Sequence, residues 1–390
     1  MNSSATGSAA AAIALLERLV AFDTTSANSN LALVGFVENY LAGCGVAAER
    51  IASEDGAKAS LFATIGPQGA GGVALSGHTD VVPVTGQTWS SDPFRLVARD
   101  GRLYARGTAD MKGFLACTLA AVPDLVSRRL ATPIHIAFSY DEEIGCVGVR
   151  GMIGRLGTRL VRPRMVIVGE PTRMSVVDAH KGPARWQITV KGRAAHSSMA
   201  PLGVNAVAYA GRLMGELARI EAELEQTARD ARFDPPYATL QITGIEGGTA
   251  SNIVPVSCRL GFEVRALPGL DLAAIERRIV DFAARECLPE MHAVAEEADI
   301  EIRRVNEVPP FVAAAGSEVV ALALKLAGVN ETHAVSYATE AGLYQDAGTS
   351  AVVIGPGDIA QAHTADEWIA ISELERCQAF LGRLADWAEG

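Results

Sequence analysis

Along the first part of the chain, short apolar runs alternate with segments whose apolar residues recur every three or four positions. The runs at 61–65, 73–76, 134–139 and 165–168 predict buried strands, and the periodic segments at 9–22, 31–42 and 112–129 predict helices. Residues 1–8 read as a tail, 23–30 as a loop and 43–45 as a turn. That alternation is the pattern of an α/β layer structure with a mostly buried sheet. From residue 182 the pattern changes. Strict alternation at 184–191 predicts a strand, followed by a long helix at 203–226 and a strand at 238–246. A further strand lies within 253–267, then a helix at 272–287 and a last strand at 299–305. The order β-α-β-β-α-β is the ferredoxin-like unit, and Asp234-Pro235-Pro236 breaks the connection between its first helix and second strand. Near residue 307 the α/β alternation resumes, with a helix at 318–326, a strand at 351–355 and a final helix at 372–387. The expected fold is therefore α/β. A mixed, largely parallel sheet sandwiched by helices is built from residues 1–181 and 307–390, and a ferredoxin-like α+β domain is inserted at 182–306. No internal repeat is visible.

Composition narrows the function classes. A chain of 390 residues, 49% hydrophobic and 20% charged, has enough apolar material for two cores and is not disordered. Its net charge of −11 repels phosphate backbones, so neither nucleic acid nor an anionic membrane is expected as a partner. No apolar run approaches the ~18 residues of a membrane span. The alanine-rich stretch at 9–16 runs directly into Glu17 and Arg18, so it reads as the start of the first helix and not as a leader. Six scattered cysteines without a CxxC pair predict reduced, mostly buried thiols, a cytoplasmic location, and neither a disulfide framework nor thiolate zinc ligation.

Candidate chemistry collects where predicted strands end. GHTDVVP at 77–83 puts His78 and Asp80 on one face of an extended segment, so Asp80 can hold one ring nitrogen while the other faces a metal. DGRLYARGTADMKG at 100–113 presents Asp110 just before a helix. SYDEEIGCVG at 139–148 brings adjacent Glu142 and Glu143 to a strand end, where their repulsion calls for a cation or a shared proton. VIVGEPT at 166–172 places Glu170 directly after a strand, and GPGDIAQAHTADE at 355–367 carries His363 in a loop. Taken singly, these stretches fit a surface turn, a helix cap or a solvated acidic loop equally well. Taken together, two histidines and several carboxylates suit two divalent ions better than one.

With these motifs, and with HKG at 180–182, AHSSMAPLGVNA, SNIVP and YATEAGLYQ, the chain resembles the dizinc aminoacylase and carboxypeptidase family from about Leu16 to Leu381. The resemblance implies a dizinc exopeptidase-like fold and metal ligands His78, Asp110, Glu143, Glu170 and His363, with Asp110 shared by both ions. It implies Glu142 as general base, Asp80 as orienter of His78, and a cis peptide bond between Asp110 and Met111. It also implies that His196 reaches the partner subunit's site to hold an oxyanion, and that Asn252 and Arg265 grip a substrate carboxylate. The inserted domain becomes a lid through which a homodimer forms. The cofactors implied are two divalent ions per subunit, zinc or cobalt, and the partner is a small-molecule N-acyl amino acid. The expected reaction is hydrolysis of N2-acetyl-L-ornithine to L-ornithine and acetate in arginine biosynthesis, with a succinyl-diaminopimelate or a dipeptide as the alternative substrate. Glu340 stands where sister branches carry an STSGG-like segment. It is expected either to pair with the substrate's side-chain ammonium or to cap the helical turn at 341–347. His135, His292 and His333 lie in no motif and read as structural, and His180 is left without an assignment.

Overall fold

The computed structural model describes residues 3–69 and 71–390, the side chains of 3–8 excepted. Its strands Val73–His78, Ile134–Ser139 and Met165–Val168 are buried at every position. Parallel strands covered on both faces have no polar side, which is why these segments read as unbroken apolar runs. The main sheet runs Ala48–Ala52, Ala59–Ile65, Ile134–Ser139, Val73–His78, Met165–Val168, Ser350–Val353, Val177–His180, Phe311–Val312. Its first two pairings are antiparallel and its three central ones parallel. Helices Ser3–Val20, Gly113–Ser127 and Ile371–Glu389 pack on one another and bury Leu16, Leu19, Phe114, Leu119 and Phe380 in one continuous core with the sheet. The helix expected from residue 9 already begins at Ser3, and Met1 and Asn2 of the expected tail lie outside the described residues.

The chain divides into two compact units, and the second comprises Ala179–Phe311 with Ala334–Ala338. The short 334–338 piece carries no sequence signal for that membership. Within the second unit the strands lie in the order Thr239–Gly247, Ser257–Ala266, Gly182–Lys191, Asp299–Glu307, all neighbours antiparallel, which is the ferredoxin-like arrangement. Gly182–Lys191 alternates between buried and half-buried positions, so Trp186, Ile188 and Val190 face the unit's core. Helix Ala206–Thr227 buries Ala206, Ala210, Leu213, Leu217, Ile220 and Leu224, a stripe of helical period. The Asn205 side chain accepts from the Ala208 N–H at 3.1 Å and caps its start. Asp234–Pro235 is a cis peptide.

All six cysteines are free, five of them buried. Among the described residues no helix is long and apolar enough to cross a membrane.

Candidate metal centre

The parallel strands bring their carboxyl ends together: His78 lies opposite Ser139, and Ser76 opposite Val168. Side chains that follow those ends therefore converge on one edge of the sheet, where α/β proteins usually bind ligands. Two glycines permit the close approach. A Cβ on Gly77 would sit 2.7 Å from the Met111 methyl carbon, and one on Gly169 would sit 2.1 Å from the Phe114 ring. The strand ends can thus lie against the turn Thr108–Lys112 and the helix Gly113–Ser127 that follows it. The Asp110–Met111 peptide bond is cis, as expected.

His78, 1% exposed, points its Nε2 at Asp110 Oδ1, 3.0 Å away, with Glu170 Oε1 at 3.7 Å. Asp110 Oδ2 lies 3.2 Å from His363 Nε2, which in turn is 3.1 Å from Glu143 Oε2. Two groups of three donors result, His78–Asp110–Glu170 and Asp110–Glu143–His363, and each could hold one metal ion. Asp110 belongs to both and offers a different oxygen to each. Glu142 belongs to neither.

The electrostatics fit cations. Burial, seconded by the charges of Glu143 and Asp110, pushes the Glu142 carboxyl up to about 8 against the opposing pull of His78. Burial and Asp110 likewise push Glu143 up to about 7. Burial and Asp110 hold Glu170 well above the usual carboxylate range. Burial disfavours the charged His78 ring, yet hydrogen bonds to Asp110 and Asp80 hold its proton affinity well above the ordinary value. The Asp110 and Glu143 hydrogen bonds raise His363 to about 10. Crowded carboxylates with two imidazoles are an oxygen and nitrogen donor set suited to zinc or a similar divalent ion, whose charge relieves the repulsion.

Asp80 supports the site in a way the HxD spacing does not show. His78 Nδ1 lies 2.9 Å from the Asp80 backbone carbonyl, and the Asp80 carboxylate is farther off at 3.6 Å. That carboxylate instead accepts from the Ser26 hydroxyl at 2.7 Å and from the Glu142 and Glu143 N–H groups at 3.1 and 3.3 Å. It therefore ties the His78 strand end to the turn carrying both glutamates. Lys58 Nζ donates to Asp141 Oδ1 at 2.5 Å in the same turn, and the Cys146 thiol donates to Glu142 Oε1 at 3.3 Å.

A sequence profile of peptidase family M20/M25/M40 matches residues 74–387, which span His78, Asp110, Glu143, Glu170 and His363. The chain belongs to this family. Among curated proteins it is 36% identical over 375 residues to the acetylornithine deacetylase of Myxococcus xanthus, covering 95% of each chain. The M20-family metallo-carboxypeptidase Sso-CP2 of Sulfolobus solfataricus has the same fold, with a TM-score of 0.76 at 20% identity over 97% of this chain and 99% of the other. A dinuclear metal-binding M20 peptidase of Bacillus subtilis superposes with a TM-score of 0.69 at 16% identity, over 97% and 98% of the two chains.

In this M20 chain the remaining candidates fall in two places. His196, Asn252 and Arg265 all belong to the second unit. His196 is exposed, with Nδ1 2.8 Å from the Ser198 hydroxyl, and the Ser197 N–H donates to the Asn252 carbonyl at 2.9 Å, so the two loops lie together. Arg265 Nε donates to Glu263 Oε1 at 2.8 Å beside a cavity of about 270 Å³ that Lys181 also lines. His180 is fully buried, with Nδ1 2.8 Å from the Lys181 carbonyl and its ring against Phe311. For Glu340 the capping expectation requires correction. This residue is 1% exposed and makes no cap bond to its helix; its oxygens accept from Ser76 and Ser139, the former at 3.0 Å. Sequence reasoning missed Ser26, Ser76, Ser139, Arg106 and Glu367. Serines in strands or turns and a lone Arg or Glu in a loop carry no local signal that separates them from solvated residues.

Proposed function

We propose that this chain hydrolyses N2-acetyl-L-ornithine to L-ornithine and acetate as a cytoplasmic homodimer, a step that supplies arginine biosynthesis. The chemistry rests on one observation: two donor triads share Asp110, with a partly buried, non-ligating glutamate beside them. The substrate rests on the Myxococcus xanthus relative, which matches along nearly the whole chain.

His78, Asp110 and Glu170 would hold one ion, and Asp110, Glu143 and His363 the other. Zinc, or cobalt in its place, would supply there the Lewis acidity that acidifies a water and polarises an acyl carbonyl. Glu142 takes a proton from the attacking water and delivers it to the departing amine as the C–N bond breaks, leaving the free α-amine and acetic acid, which ionises to acetate. A carboxyl whose proton affinity burial has raised is suited to both halves of that transfer. Asp80 keeps Glu142 in place through its main-chain N–H and keeps His78 turned through its own carbonyl. His196 is assigned to the developing oxyanion, and Asn252 and Arg265 to the substrate's α-carboxylate.

Acetylornithine, acetylmethionine, an N-succinyl-diaminopimelate and a dipeptide, each followed by released amine, test the substrate. Acetylornithine is expected to have the highest kcat/KM, and a higher value on the succinyl compound or the dipeptide would reassign the enzyme within its fold.

The proposed dimer is tested by mixing chains. Glu142→Ala and His196→Ala protomers, each inactive alone, should regain part of the activity in heterodimers, because one hybrid site then carries both intact groups. Absence of activity in verified heterodimers would remove His196 from the partner's site.

A further inference from the structure

Glu367 follows His363 by one short loop, and it is as deeply buried as Arg106, each 1% exposed. Its Oε1 accepts from the N–H groups of Ala109 at 2.8 Å and Asp110 at 3.1 Å. Its Oε2 accepts from the Gly107 N–H at 3.0 Å and from Arg106 Nη1 at 2.7 Å. Every donor thus comes from the segment leading into Asp110. The Glu367 carbonyl accepts from the Ala105 N–H at 3.1 Å, and beyond it Trp368–Ala370 pairs antiparallel with Arg102–Tyr104.

The same network reaches His363. Arg106 Nη2 donates to Gln87 Oε1 at 2.6 Å, and the Gln87 amide donates to the His363 carbonyl at 2.7 Å. Arg106 Nη1 also reaches the Thr364 carbonyl at 3.3 Å. The loops that offer Asp110 and His363 are therefore joined by one continuous set of hydrogen bonds centred on a carboxylate that belongs to neither donor triad. A buried ion pair by itself stabilises a fold weakly. The three backbone amides are the informative part, because they fix the main chain from which the Asp110 carboxylate projects, and a shared ligand must present both oxygens at set directions.

We propose that Glu367 is a positioning residue of the metal centre, which aims Asp110 and thereby sets the affinity for both ions. The inference rests on the reading of Asp110 as the shared ligand. Partners behind a metal ligand typically change metal affinity by roughly 10–100-fold when removed.

The test is binding of zinc ion to metal-stripped protein, followed by calorimetry and elemental analysis, with circular dichroism and thermal unfolding of each apoprotein. Glu367→Gln keeps the shape but turns an NH2 group toward N–H donors. It should fold as apoprotein and bind both ions roughly 10–100-fold more weakly. Glu367→Asp keeps the charge on a stem one methylene shorter and should lose less. A folded Glu367→Gln protein with wild-type affinity for both ions would overturn the proposal. So would failure of both variants to fold without metal, since Glu367 would then serve the fold alone. Wild-type protein titrated alongside reports on the shared-ligand reading separately; fewer than two ions bound there would sink that reading and this inference with it.

Discussion

Glu142→Ala lowers acetylornithine turnover by roughly 10²–10⁴-fold, the contribution of a positioned proton-transfer group, while the protein still binds two metal ions. The separation of the two readouts follows from the geometry. Glu142 lies outside both donor triads, so its loss removes no ligand. Its N–H is anchored on Asp80 Oδ1 and its side chain accepts from the Cys146 thiol, so the carboxylate is aimed without touching a ligand atom. Burial raises its proton affinity into the neutral range, as a group that must take and then return a proton requires. The measurements are steady-state kcat and metal content by elemental analysis. Loss of metal in step with activity would make Glu142 a ligand and leave the base unassigned.

The opposite pairing is expected at Asp110. Asp110→Ala should lose both ions and all measurable activity, because the one carboxylate reaches His78 through Oδ1 and His363 through Oδ2. Each triad would fall to two donors, His78 with Glu170 and Glu143 with His363, too few to close a zinc site. With neither triad able to close around an ion, the variant's apoprotein gains less from added zinc than the wild type does. Thermal unfolding with and without zinc reads this directly: a wild-type shift on metal addition should be absent in Asp110→Ala. Two ions retained by the variant would show that Asp110 is not shared.

Much of this molecule was legible from local pattern. The three central strands read as strands because burial on both faces leaves only apolar residues in them. The second unit's order of elements read correctly because its sheet is covered on one face, so period two and period 3.6 alternate plainly along the chain. The donors His78, Glu143 and Glu170 stood out for a related reason: a charged or imidazole side chain directly after a buried strand is conspicuous.

Short elements were less visible. Ala48–Ala52, Val97–Arg99, Arg102–Tyr104 and Trp368–Ala370 are too brief and too exposed for a period to show. The tail expected at the start is helical from Ser3, since small and polar residues give only a weak helical signal in the sequence.

The chain's own pattern determined which segments become strands or helices and which of them end in metal-ligating residue types. Only the tertiary structure decided what stands behind those residues. Glu340 receives its hydroxyl partner Ser76 from 264 residues away, and Glu367 receives the Asp110 N–H from 257 residues away. Hydrophobic period and turn chemistry act over a few residues, so they cannot state which distant loops meet. A glutamate in a loop looks solvated until the sheet order brings strand ends, amides and hydroxyls around it and closes out the water.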